Sequence, residues 1–159
     1  MSSKSTLPII GRTEKVFFPA LQAGPIKAKV DTGADLSSLW ATAIKLVDEG
    51  LTFVVFGKSS PNYTGKVVVV PKGQYAVTTV VSSFGEKQTR YVVKLQIKIA
   101  NKLVLGTFTL ANRSRSTYPI LLGRKLISGK FLVDVSSSSS GKRPATTKIS
   151  ANNSKEVRK

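Results

Sequence analysis

The strongest constraint on the fold lies between residues 90 and 110. From Arg90 to Ile99, apolar side chains take every second position: Tyr91, Val93, Leu95, Ile97 and Ile99. That period puts one face of an extended chain into a core and the other into water. Asn101-Lys102 supplies a tight turn and Leu103 to Leu110 returns, so a β-hairpin is predicted. Ile26-Lys27-Ala28-Lys29-Val30 alternates just as strictly and runs straight into Asp31-Thr32-Gly33, a turn signal.

The rest of the chain reads as more short strands. Leu51 to Phe56, Lys66 to Val70 and Tyr75 to Val81 are strand candidates, and Phe131 to Val135 is a final one. Leu36 to Leu46 reads either as a strand or as a short helix. Arg124 to Ser128 is long enough for one or two helical turns, closed by Gly129. Many short strands, one short helix and Gly/Pro punctuation predict a mainly β fold, a closed or nearly closed barrel. The 159 residues suit one domain. Residues 1–7 read as a flexible start and 8–136 as the domain. Residues 137–159, Ser-rich, basic and without period, read as a disordered tail.

Composition then narrows the chemistry. The chain has no Cys and no His. Ser-His and Cys-His hydrolases, thiolate metal sites and two-His zinc motifs are therefore excluded. Hydrolytic work falls to eight acids: Glu14, Asp31, Asp35, Asp48, Glu49, Glu86, Asp134 and Glu156. An all-oxygen metal site would suit Mg²⁺ or Ca²⁺ better than zinc, but these acids do not cluster in the sequence. No metal and no cofactor are expected.

Asp31 is the acid best placed for catalysis. It ends an alternating strand and is followed by the small residues Thr32, Gly33 and Ala34. Two such carboxylates about 3 Å apart cannot both ionise, so they share a proton. One then activates a water while the other hydrogen-bonds the scissile carbonyl. Asp-Thr-Gly is also simply a good turn, and taken alone it would more often be one. Asp134 follows the last strand and reads as a capping or Lys-pairing acid.

A second element accompanies this loop. Val30-Asp31-Thr32-Gly33-Ala34-Asp35 and, with Arg124 93 residues beyond Asp31, Ile120-Leu121-Leu122-Gly123-Arg124-Lys125-Leu126 together resemble the two signatures of the retropepsin family of aspartic peptidases. Asn112-Arg113-Ser114-Arg115, Tyr118-Pro119 and Gly129-Lys130-Phe131-Leu132-Val133-Asp134 extend the likeness to a bacterial retropepsin-like group historically labelled "ATP-dependent zinc proteases". The resemblance covers roughly residues 8–136. It implies a retropepsin-like closed barrel with one short C-terminal helix. The old label does not fit the residues, which include neither a phosphate-binding Gly-rich loop nor His or Cys for zinc.

The resemblance also implies roles. Asp31 is the catalytic carboxylate. Thr32 locks two active-site loops together across a dimer. Gly33 admits substrate or the partner loop, and Ala34 completes the loop. Gly123 lies beneath the loop, and Asp35 pairs with Arg124, although the bacterial group often carries Arg where this chain has Asp35. A flap hairpin is expected at Ser82 to Arg90, with Phe84 and Gly85 near its tip; Lys58 to Lys66 is the second candidate. The chain holds one Asp-Thr-Gly, so a dyad requires a homodimer with twofold symmetry.

Charge bears on partners. The net charge is +17, of which residues 1–135 carry +12. Such a field attracts polyanions, or it reflects solvated strand faces that resist aggregation. The bacterial group is associated in some organisms with ligases that add glutamate to proteins, which suggests an acidic, glutamate-rich substrate. Two alternatives compete: a non-enzymatic basic β-barrel that binds nucleic acid, and a catalytically silent retropepsin-like domain for dimerisation or peptide binding. Nucleic acid is not favoured, because the aromatics are scattered along the sequence. Met1 to Thr6 is polar, and no stretch approaches the roughly 20 apolar residues of a spanning helix. A soluble cytoplasmic protein without membrane contact is expected.

Overall fold

The computed structural model describes residues 6–140. Eleven strands and one short helix follow in order: β1 (Ile9–Ile10), β2 (Thr13–Phe18), β3 (Ala23–Val30), β4 (Ser37–Val47), β5 (Gly50–Val55), β6 (Val67–Pro71), β7 (Tyr75–Val81), β8 (Lys87–Ile99), β9 (Lys102–Ala111), β10 (Ile120–Leu122), α1 (Arg124–Ile127) and β11 (Leu132–Val133). The segment left open between strand and helix is β4. The helix and the last strand are each shorter than expected.

Six strands hydrogen-bond in the order β10-β3-β2-β8-β9-β4, and β10 also pairs with β4, so the sheet closes on itself. The three residues of β10 do this by pairing parallel to β3 on one side and antiparallel to β4 on the other. Closure leaves no open edge in the ring. β5 and β6 extend outward from β4 as an added hairpin, and β7 pairs with the N-terminal half of β8. Alternation decides which side chains point inward. Val16, Phe18, Ile26, Ala28, Val93, Ile97 and Ile99 are buried, whereas Lys15, Lys27, Lys29, Lys94 and Lys98 are exposed. Phe18 and Phe108 meet edge to face at the core, with ring centroids 5.6 Å apart.

The expected domain boundary needs correction. Residues 137–140 are not a loose tail. Arg12 N–H donates to the Ser137 carbonyl at 2.9 Å and Thr13 N–H to that of Ser138 at 3.0 Å. Ser137 is buried, and the buried carboxylate of Glu14 accepts from both the Ser140 N–H and its hydroxyl. Composition suggested disorder, but the backbone groups at the start of β2 offered a hydrogen-bonding track. Residues 141–159 lie outside the described residues. No helix among the described residues is long and apolar enough to cross a membrane.

Candidate active site

The loop carrying Asp31 is held from three directions. Its own strand, β3, delivers it to the end of β10. There the Asp31 N–H donates to the Leu122 carbonyl at 2.8 Å. From the other end of the loop, the Ala34 carbonyl accepts Arg124 N–H at 2.7 Å and the Asp35 carbonyl accepts Lys125 N–H at 3.1 Å. The first turn of α1 thus spends N–H groups that no helix can satisfy internally on the loop before it. Inside the loop, Gly33 N–H donates to Asp31 Oδ1 at 3.1 Å, which fixes the carboxylate's orientation.

Gly123 lies beneath this loop for a steric reason. A Cβ there would sit 2.6 Å from the Leu36 carbonyl carbon and oxygen and 3.0 Å from the Ala34 oxygen. Its backbone is extended, so close approach rather than unusual torsion requires glycine. Gly123 N–H donates to the buried Ser37 hydroxyl at 2.9 Å. Sequence reasoning missed Ser37. A serine opening an apolar strand two residues after Asp35 was the available signal.

Asp35 and Arg124 form an ion pair, and the other Arg124 nitrogen, Nη1, lies 3.3 Å from the carbonyls of both Thr32 and Gly33. This guanidinium therefore ties the two limbs of the loop together. Both side chains are more than half exposed, so the pair contributes geometry more than stability. Thr32 is exposed, and its hydroxyl has no partner among the described residues.

Two further arginines were not singled out. Arg113 is half-buried, and its Nε donates to the Tyr118 carbonyl at 2.9 Å. Burial, and then the charge of Arg90, push its pKa below the ordinary arginine value, while the charge of Asp31 opposes them. Burial also lowers the pKa of Arg90. Arg113, on the β9–β10 connection, thus links Arg90 of β8 and the Asp31 loop, interacting with each. Their sequence separations hid this.

Ser82 to Glu86 is the turn of the β7–β8 hairpin. Ser82 N–H donates to the Glu86 carbonyl at 2.8 Å, and the Ser82 hydroxyl accepts from the N–H groups of Phe84 and Glu86. Gly85 adopts a left-handed φ of 81°, and Phe84 is 94% exposed at the tip. Lys58 to Lys66 instead belongs to the connection between β5 and β6. Asp134 caps its own turn, accepting from the N–H and hydroxyl of Ser136.

A closed six-strand ring, an Asp-Thr-Gly loop at its edge and a Gly-Arg element pinned beneath it define a retropepsin-like domain. Over residues 9–144 the chain matches, and belongs to, the family described as RimB-like, retropepsin-like aspartic endopeptidase RimB. It is 36% identical over 132 residues to a probable alpha-L-glutamate ligase of Shewanella pealeana, covering 82% of this chain. A protein of the same name from Desulfotalea psychrophila is 30% identical over 136 residues, or 84% of this chain. In both cases the match spans only 29% of the relative's length. The crystal structure of a Legionella pneumophila protein of unknown function superposes with a TM-score of 0.62 and 32% identity, covering 82% of this chain and 95% of that one.

Proposed function

We propose that the chain is an aspartic endopeptidase whose active unit is a homodimer, each protomer contributing one Asp31. The observation that carries this reading is the anchoring of Asp31 between Leu122 and the Gly33 N–H. A rigid, half-buried carboxylate at a ring edge suits a pair that must approach within hydrogen-bonding distance. In this mechanism one carboxylate takes a proton from water, the other hydrogen-bonds the scissile carbonyl, and the proton passes to the leaving amine. The exposed Thr32 hydroxyls link the two loops, and the Phe84 hairpin covers bound substrate. A cytoplasmic setting suits a chain without Cys.

Acidic, glutamate-rich peptides are the proposed substrates. Arg113, which feels the charges of both Asp31 and Arg90, favours carboxylate side chains, because partly buried guanidinium groups gain from anionic company. The name of the relatives, probable alpha-L-glutamate ligase, points the same way. The test is cleavage of a glutamate-rich peptide, followed by mass spectrometry, with parallel sedimentation. Asp31→Asn should abolish cleavage while the protein still dimerises. Activity retained by Asp31→Asn, or residing in a monomer, rejects the proposal.

A further inference from the structure

We infer that the outer face of β2, β3 and β8 is a binding surface for single-stranded nucleic acid, separate from the Asp31 site. The register sets Lys15 directly opposite Lys27, and Phe17 directly opposite Lys98. Like charges facing each other across an antiparallel pair destabilise a sheet, so this arrangement is not explained by folding alone. None of the three lysines has a carboxylate within ion-pair distance among the described residues. Glu14, which lines the same cavity, is buried and occupied by the Gly11 N–H and by Ser140. These lysines and Phe17 line a cavity of about 540 Å³, within the usual range for small-molecule sites.

Aromatic rings make a nucleic acid a better fit than an acidic polypeptide. Phe17 is 41% exposed among the lysines. Lys27 Nζ lies 5.8 Å from the Tyr118 ring and lines both this cavity and a neighbouring one of about 380 Å³. Trp40 lines that second cavity, and its buried indole N–H has no acceptor among the described residues. The Trp40 ring itself is buried, so the rings open to bases are Phe17 and the part-exposed Tyr118. Lysines for phosphates beside rings for bases are the two elements of sequence-tolerant single-strand binding. Lys27 stands four residues before Asp31, about 13 Å along an extended strand, so the surface does not require the catalytic loop.

The experiment uses the full chain and a fluorescein-labelled 12-nucleotide oligouridylate, with anisotropy titrations at several KCl concentrations. The Lys15→Gln/Lys27→Gln/Lys98→Gln protein should lower the slope of log affinity against log salt by about 2, near 0.7 per lost contact. Phe17→Ala should weaken binding about 5- to 150-fold with the slope unchanged, and Phe17→Leu should behave alike. Asp31→Asn should bind as wild type does, which keeps this inference independent of the peptidase reading. An equal loss in the number-matched control Lys58→Gln/Lys66→Gln/Lys72→Gln would overturn it in favour of a general charge effect. Undiminished binding by the face variant would overturn it too. So would displacement by a glutamate 12-mer combined with indifference to Phe17→Ala, which would mark the face as a site for acidic polypeptide.

Discussion

Replacing Gly123 with alanine inserts a methyl group where none fits. Its Cβ would lie 2.6 Å from the Leu36 carbonyl and 3.0 Å from the Ala34 oxygen. Relaxed nonbonded contacts are about 3.5 Å or more, so the separation must grow by about 0.9 Å. The obstructing atoms are backbone, and no side chain can swing aside to relieve them. The movable part is the loop, held by Arg124 N–H to Ala34 O, Lys125 N–H to Asp35 O and Asp31 N–H to Leu122 O. Overpacking plus the weakening of one such bond should cost about 2–3 kcal/mol. For a domain near this size that lowers the melting temperature by about 4–12 °C. A catalytic group displaced by about 1 Å loses on the order of 100-fold in rate. Thermal melts and peptide-cleavage rates below the transition would measure both effects. Gly129→Ala is the control, since its left-handed φ of 72° costs about 1–2 kcal/mol but no atom lies within 4 Å of the new Cβ. A Gly123→Ala protein with wild-type melting and turnover would refute the claim that close packing positions Asp31.

Other outcomes follow from the same geometry. Arg124→Gln should change stability by less than about 1 kcal/mol, because the ion pair is exposed, yet lower kcat by freeing the Thr32 and Gly33 carbonyls. Equal losses of stability and turnover by a denaturant series would contradict this. Phe84→Ala should leave the melting temperature within about 1–2 °C and raise KM for peptide, since the ring is solvent-exposed in the protomer. Arg113→Gln should raise KM for glutamate-rich peptides more than for neutral ones, while stability holds or rises, because a partly buried charge repelled by Arg90 is removed. Both arginine pKa values are shifted downward, so the folded protein holds these protons less tightly than the unfolded chain. Their cost to stability is present at every pH below the lowered values and is relieved only as pH rises through them. Chemical denaturation near neutral pH should therefore show no pH dependence from Arg90 or Arg113.

Local features carried much of the fold. Alternation in β3 and β8 was legible because a strand buried on one face must alternate, whatever it pairs with. The segment at β4 was ambiguous because its first five residues are all buried and show no period. The extent of the domain was underestimated at Ser137 to Ser140 because serine-rich composition is silent about a backbone track more than 120 residues away.

Asp31, Gly33, Gly123 and Arg124 were readable as candidates from the sequence alone, since two short ordered motifs bring their own residue chemistry with them. That chemistry also limited any hydrolytic mechanism to carboxylates, through the absence of His and Cys. Tertiary structure alone decided which groups meet. It brought Ser37 under Gly123, and Arg113 into the fields of both Asp31 and Arg90. It also gathered Phe17, Tyr118 and three lysines, scattered along the chain, onto one face. The physical reason is strand register: a closed sheet sets residues about 5 Å apart across strands whatever their distance in sequence, and one-dimensional spacing cannot anticipate that pairing.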